Sequence, residues 1–162
     1  MTETTSQFSR FFIAPEERPT SEIPFHNDSA PGVRRVFLEK KLLPETDAYV
    51  IVRTAADVRP DQPQYIDFHA HNVSSIYLFM GEGDNLEGLR AEVMLGDETF
   101  VIDSPATVYI PKGVPHSSRL IEGSGHFGHI VLSGDYGESL LGPSDSISIS
   151  QIQWSAPPKG GE

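Results

Sequence analysis

The chain has 162 residues, 38% of them hydrophobic, and contains no cysteine, so its size fits one globular domain without disulfides or thiolate metal sites. Its 23 acidic and 12 basic residues give a net charge of -11 at pH 7, which argues against nucleic acid or an anionic membrane surface as a partner. No apolar run approaches the length of a membrane span, and the N-terminus does not look like a signal peptide, so we expect a cytoplasmic protein.

Residues 1–32 are predicted to form an irregular arm. Prolines at positions 15, 19, 24 and 31 interrupt both helices and central strands in this stretch. An apolar cluster around Phe11 and Phe12 favours packing of the arm on the outside of the domain. His26 lies in the same proline-rich stretch and is expected at the surface.

Residues 33–142 are predicted to form the domain itself, because short strand patterns follow one another with turn residues between them and no useful helical period. The predicted strands are 33–38, 48–53, 65–69, 75–80, 89–95, 99–102, 106–110 and 127–132. Many short strands of this kind are typical of an all-β sandwich or barrel. Residues 143–162 are predicted to add an edge strand or a dimer contact and then a flexible tail.

Three histidines in this domain have the spacing of metal ligands. His69 and His71 are two residues apart in a predicted strand, so their side chains point the same way. His116 follows a distant strand and can complete the set from another direction. Three imidazoles would leave positions on the ion open for water or substrate, as a catalytic metal site requires.

These residues resemble the two motifs of the cupin superfamily. The first motif reads roughly Gly-x5-His-x-His-x3-4-Glu-x6-Gly, and the second reads roughly Gly-x5-Pro-x-Gly-x2-His-x3-Asn. The matching residues are His69, His71 and, within one residue, Gly81 for the first motif, and Pro111, Gly113 and His116 for the second. The resemblance implies a jelly-roll barrel, also called a double-stranded β-helix, with the metal and a small ligand inside. It also allows the arm to cross to a partner subunit in a homodimer.

The sequence departs from both motifs. Pro63 and Pro105 stand at the opening glycines, and Leu120 replaces the final asparagine. The glutamate ligand of the first motif is missing, because its place falls on Ser75 or on a neighbour of Ser75. Glu92 could supply a carboxylate from another strand, but it alternates with apolar residues and is expected to face outward.

The ligand set implies one divalent transition metal. Iron is favoured, since the set is most similar to that of three-histidine iron cupins of the dioxygenase kind, and Zn, Ni, Mn or Cu would also suit it. Loss of the carboxylate would leave more of the ion's charge to act on an oxygen-rich substrate.

Two further residues are candidates for proton transfer. His129 shares a strand face with apolar residues, and it is either a general base or a hydrogen-bonded core histidine. Tyr77 shares parity with Ser75 and Phe79, so all three could line a substrate cavity, or Tyr77 and Phe79 could simply be core residues.

Other candidates would bind the substrate. Tyr109 lies near the third ligand in the sequence. Arg53 and Arg119 could each hold a substrate carboxylate, because guanidinium binds that group in a bidentate manner, or could lie at the surface.

Together these features favour a metal-dependent oxidoreductase with a dioxygenase-type reaction on a small organic substrate, such as an oxo, enol or carboxylate compound. A metal-assisted isomerase, lyase or cyclase would use the same ligands. A non-catalytic cupin that binds a small molecule is the third hypothesis, and the missing glutamate supports it.

Overall fold

Strands form most of the regular structure in residues 6–141, which are the residues that the structure, a computed structural model, describes. They are β1 (Glu16–Glu17), β2 (Val33–Leu38), β3 (Tyr49–Val58), β4 (Ser75–Gly81), β5 (Leu89–Leu95), β6 (Glu98–Asp103), β7 (Ala106–Ile110) and β8 (His116–Val131). Short 3-10 helices at Ser9–Phe11 and Thr20–Glu22 and one α-helical turn, α1 (Tyr136–Ser139), complete these elements. Among the described helices, none has the length and apolar character needed to cross a membrane.

The strand β8 holds the antiparallel sheet together. Its first half pairs with β5, and its second half lies between β3 and β4. The sheet order is β1-β2-β3-β8-β4-β7, and β6 continues the sheet beyond β5. The halves of β8 meet near Gly123, where φ is +93° and a β-carbon would lie 2.0 Å from the carbonyl oxygen of Gly88, so glycine is required for this close approach. This arrangement confirms the predicted all-β class.

Most predicted strands are present with nearly the predicted bounds. The segment 65–69 is an exception, because it forms only isolated bridges, including one between His69 and His116. β8 also begins eleven residues before the predicted start at Phe127, since its first half, which carries Ser117 and Arg119, lacks a simple apolar alternation. The predicted edge strand and dimer contact of residues 143–162 lie outside the described residues.

The barrel interior is lined by alternate residues of the central strands. In β4, Ser75, Tyr77 and Phe79 are buried and the residues between them are half-buried. Phe127 and His129 of β8 face the same interior from the neighbouring strand. Aromatic side chains thus fill the part of the core next to the histidines.

The N-terminal arm packs on its own domain. Its strand β1 pairs with β2, and His26 forms an isolated bridge with Ile66. The ring of Phe25 stacks on that of His69, with the ring centroids 5.5 Å apart. A crossing of the arm to a partner subunit stays a prediction.

Candidate metal centre

The two segments that carry the histidines are joined by backbone hydrogen bonds. The amide of His116 donates to the carbonyl oxygen of His69 at 2.8 Å, and the amide of His69 donates to that of His116 at 3.3 Å. Just before His116 the chain turns at Gly113, where φ is +81° and the amide donates to the carbonyl oxygen of His71 at 2.7 Å. The glycine of the second motif therefore permits the left-handed turn, and the backbone amide at this position joins the turn to the first motif.

Each of the three imidazoles has its Nδ1 atom engaged with a fixed partner. His69 Nδ1 lies 2.7 Å from the carbonyl oxygen of Asp67, and His116 Nδ1 lies 2.8 Å from that of Val114. A carbonyl can only accept, so Nδ1 carries the proton in both rings. His71 Nδ1 lies 2.7 Å from the hydroxyl of Ser139. This hydroxyl donates its own hydrogen to the carbonyl oxygen of Tyr136, so it accepts from His71.

These tautomers leave Nε2 unprotonated in all three rings, and an unprotonated nitrogen is the form that binds a metal ion. The three ligand atoms lie within 4.8 Å of one another, and all three side chains are buried. The Nε2 atoms of His71 and His116 have no hydrogen-bond partner in the described structure. Buried polar atoms without partners are costly, and an ion held by three Nε2 atoms would satisfy them. The donor set therefore fits a divalent metal ion.

Burial keeps these histidines neutral. It lowers the pKa of His71 to about 2 and that of His116 to about 3, and the neighbouring imidazoles lower both further. Desolvation lowers the pKa of His69 as well, against the effect of its hydrogen bond to Asp67. Neutral imidazole is the form that binds metals, so no proton has to be displaced near pH 7.

The metal-free protein is expected to lose stability as pH falls below about 6.5. In the unfolded chain each histidine takes up a proton near that pH, whereas folded His71 and His116 do so only near pH 2 to 3. The free energy of unfolding should thus decrease by up to about 1.4 kcal/mol per pH unit for each such histidine. Urea denaturation at several pH values measures this slope. A flat profile between about pH 7 and about pH 5 would contradict the prediction.

The helical turn α1 contributes two residues to the site that the sequence analysis did not identify. The hydroxyl of Tyr136 lies 2.8 Å from His69 Nε2, and the Tyr136 ring lies 4.8 Å from that of His71. Ser139, on the same turn, holds His71 through its hydroxyl. The side chain of Asp135 caps the turn by accepting from the amide of Glu138. An Asp-x-x-Glu pattern is a recognised helix start, but it carries no sign of a metal site.

Replacing Ser139 with alanine is expected to weaken metal binding by about 10-fold to 100-fold, because a residue that orients a ligand contributes that much to affinity. The loss comes from the free rotation of His71, whose Nδ1–H would then lack its acceptor. Isothermal titration with Zn²⁺ measures the effect. Ser133→Ala is the matched control, since Ser133 lies before the same turn and bonds only to Asp135. Equal affinity in the two variants would contradict the prediction.

The predicted proton-transfer residues lie beside the three histidines. The ring of His129 is 6.1 Å from that of His71 and 4.7 Å from that of Tyr77. His129 Nε2 is buried without a hydrogen-bond partner, and so is the hydroxyl of Ser75. Desolvation lowers the pKa of His129 well below its ordinary value and raises that of Tyr77. Burial therefore keeps both side chains in their neutral forms. Phe79 packs in the core behind them, against Tyr77 and Phe127.

The structure places Arg53 and His26 together at a small cavity next to the site. The cavity has a volume of about 20 Å³, room for about one water molecule, and His129 lines it too. His26 was expected at the surface, but it is half-buried and turned toward the site. Its ring is 5.4 Å from that of His69, and burial lowers its pKa to about 3.

Arg53 is only 4% exposed, and its guanidinium donates to the carbonyl oxygen of Pro31 at 3.0 Å and to the hydroxyl of Thr20 at 2.5 Å. Both acceptors are neutral. Desolvation lowers the pKa of Arg53, and the Coulombic attraction of Asp28 offsets only part of this effect.

Three of the predicted site residues face away from the histidines. Glu92 and Arg119 are register neighbours on β5 and β8, and they form an ion pair of 3.1 Å on the outer side of the sheet. Glu92 faces outward as predicted, and Arg119 is engaged with it there, so the substrate-binding role of Arg119 stays a prediction that this position does not favour. Tyr109 is 58% exposed and donates to Ser74, because alternation in β7 turns its neighbour Ile110 inward instead. Its substrate-binding role also stays a prediction that this position does not favour.

Comparisons with solved structures find proteins of similar fold, of which the first supports the assignment. A Bacillus subtilis oxalate decarboxylase, studied for its Mn(II) centres, superimposes with a TM-score of 0.50 and 18% identity over 80% of this chain and 30% of its own. A mutant of that decarboxylase gives a TM-score of 0.48 and 18% identity over 90% of this chain and 34% of its own. A conserved Streptococcus pyogenes protein of unknown function gives a TM-score of 0.44 and 16% identity over 63% of this chain and 74% of its own.

The chain spans less than a third of the decarboxylase in the first of these matches. A scan against protein-family models finds no match, and a search of curated proteins finds no significant one. The antiparallel barrel, the decarboxylase with the same architecture and the three converging histidines lead to one conclusion. The chain has the cupin fold, with a candidate site for a divalent metal ion in its interior.

Proposed function

We propose that the protein is a metal-dependent enzyme that carries out a dioxygenase-type reaction on a small organic carboxylate. The observation that carries this proposal is the set of three buried Nε2 atoms, each freed by a bonded Nδ1. His69, His71 and His116 would hold the ion from one side. A bound divalent metal would supply adjacent open positions for the substrate and molecular oxygen.

Iron is our first choice of metal because three neutral imidazoles with open positions suit Fe(II). Manganese is a second choice, since the decarboxylase of similar fold has Mn(II) centres. No acidic residue belongs to the described ligand cluster, so the histidines bring no negative charge to the ion. The ion would keep its charge for an anionic ligand, which favours a substrate that binds through oxygen atoms.

The chain's own residues can move protons near the ion. His129 has a buried Nε2 without a partner, beside the ring of His71. We infer that it accepts a proton from the substrate. Tyr77, whose ring contacts that of His129, can return one. The surrounding aromatic residues Phe79 and Phe127 exclude water from the reacting atoms.

The substrate class follows from Arg53. A buried guanidinium with only neutral acceptors is a ready partner for a carboxylate, which accepts two parallel hydrogen bonds. Arg53 also lines a groove of about 410 Å³ on the outer side of the arm, with Thr20 and Arg34. The same three residues line the inner cavity, so they separate the groove from the histidines. A substrate larger than water would require arm residues near Thr20 to move aside.

Oxygen consumption tests the proposed reaction. Protein loaded with Fe(II) is mixed with a panel of small carboxylates, oxo acids and enols, and an oxygen electrode records uptake. We expect uptake that requires both the iron and one class of compound. Conversion of a compound without oxygen uptake would instead support the isomerase, lyase or cyclase alternative, which the unpartnered His129 favours. Binding of a compound with no conversion would support a non-catalytic cupin.

A further inference from the structure

We propose that Tyr136 is the fourth protein ligand of the ion and takes the place of the carboxylate that the first cupin motif lacks here. This inference rests on the metal site of the proposed function but not on its reaction. Tyr136 is 3% exposed and belongs to α1, a turn outside both motifs. Its hydroxyl is in direct contact with one of the three metal-facing nitrogens.

The first step of the argument is the hydrogen bond between Tyr136 and His69. Because Nδ1 of His69 donates to Asp67, its Nε2 accepts, and the Tyr136 hydroxyl is the donor at 2.8 Å. An ion bound at that Nε2 would take up the same lone pair. The hydroxyl would then lose its acceptor in a buried place, where an unpaired polar group is costly. The hydroxyl then needs a new partner, and the bound ion would provide one.

The second step is distance. Two donor atoms that each lie about 2.0 to 2.1 Å from one metal ion, at a right angle, are about 2.9 Å apart. The oxygen of Tyr136 and Nε2 of His69 already have a separation of 2.8 Å. An ion at His69 Nε2 would occupy the lone pair to which the hydroxyl now donates, so the phenol oxygen has to move off that axis to bind the ion, while its separation from Nε2 can stay nearly the same. The ring of Tyr136 also stands edge-on to that of His71, at 82° and 4.8 Å, so the phenol lies over the same cluster from a second direction.

The third step is rigidity. The carbonyl oxygen of Tyr136 accepts from the hydroxyl of Ser139, which in turn accepts from His71 Nδ1. A single helical turn thus fixes both a histidine ligand and the phenol, as expected for groups that act on one ion. The ring is held on its other side by Tyr49, with centroids 5.3 Å apart.

Ser75 does not fill this place as well. It occupies the position of the missing glutamate, and its hydroxyl is buried without a partner. A serine side chain is two carbon atoms shorter than that of glutamate, so its oxygen remains near the backbone of β4. The Tyr136 oxygen is the one that touches a metal-facing nitrogen. When it binds, the phenol proton now shared with His69 leaves to solvent.

A spectroscopic experiment tests the assignment without relying on turnover. The full chain is loaded with Fe(II) in the absence of oxygen, and the bound ion is then oxidised to Fe(III). A phenolate ligand gives Fe(III) an intense visible charge-transfer band, whereas imidazole and water do not. We expect the band in the unmodified protein and its loss in Tyr136→Phe, together with about a 10-fold or greater loss of Fe(II) affinity.

The matched control is Tyr49→Phe. Tyr49 packs against Tyr136 but its hydroxyl bonds to Arg34, so the band should remain in this variant. Bound iron without the band in the unmodified protein, or a band that persists in Tyr136→Phe, would overturn the inference and leave the proposed function in place. A protein that binds no iron at all would overturn both.

Discussion

Replacing His71 with alanine is expected to abolish metal binding, with a loss of affinity of more than about 100-fold. His71 is 1% exposed, and its Nε2 has no hydrogen-bond partner in the described structure. Alanine removes one of the three nitrogen ligands, and no other described side chain of the cluster can replace it. Elemental analysis of the purified protein and titration with Fe(II) and Zn²⁺ measure the loss.

Variants of two other histidines distinguish the loss of a metal ligand from a general disruption of the fold. His126 is exposed and its ring is bonded to Thr54, so His126→Ala should keep full metal content. His129 is buried near the cluster but is not one of its three members, so His129→Gln should keep the metal and lose turnover. Unchanged metal content in His71→Ala, or equal loss in all three variants, would contradict the site described above.

The two motifs predicted the ligands because they encode backbone geometry as well as residue type. Gly113 allows the turn that brings its segment against His71, and the mutual hydrogen bonds of His69 and His116 fix the rest. The alternation of apolar residues likewise predicted β5, where one face is buried and the other is more exposed. Both kinds of signal are local in the sequence.

The residues that the sequence did not reveal act across long separations. Tyr136 contacts His69 from 67 positions away, and no local pattern marks a tyrosine after a barrel as part of its interior. His26 was expected at the surface because prolines surround it, yet the arm folds back and places it 5.4 Å from His69. Only the tertiary contact decides which side of an irregular segment is buried.

The two candidate arginines show the same limit. Arg53 and Arg119 are equal candidates by residue type, and both lie in strands next to apolar residues. The register of β5 against β8 gives Arg119 an acidic neighbour, Glu92, on the outer side of the sheet. Arg53 faces the arm instead, where it meets a carbonyl and a hydroxyl. Whether each arginine forms an ion pair thus depends on the pairing of strands, which the sequence does not show.

Replacing Arg53 with methionine is therefore expected to weaken the binding of small carboxylates by about 10-fold to 100-fold, because a hydrogen bond to a charged group contributes about 1.5 to 3 kcal/mol. The free energy of unfolding should change by less than about 1 kcal/mol, since removing a buried and desolvated charge offsets the loss of two hydrogen bonds. Calorimetric titration of the metal-loaded protein with a panel of mono- and dicarboxylates measures the first effect. Urea denaturation measures the second.

Two matched arginine variants complete this test. Arg119→Met should bind carboxylates normally, since its partner is Glu92 on the outer side. Arg34→Met should lose about 3 kcal/mol of stability, because Arg34 is buried and paired with Glu22 at 2.7 Å. Arg34→Met should thus lower the stability, whereas Arg53→Met should lower the affinity for carboxylates. Carboxylate binding that survives in Arg53→Met would mean that the substrate's charge is held by the metal ion alone, and the cavity beside His129 would lose its assignment as the carboxylate site.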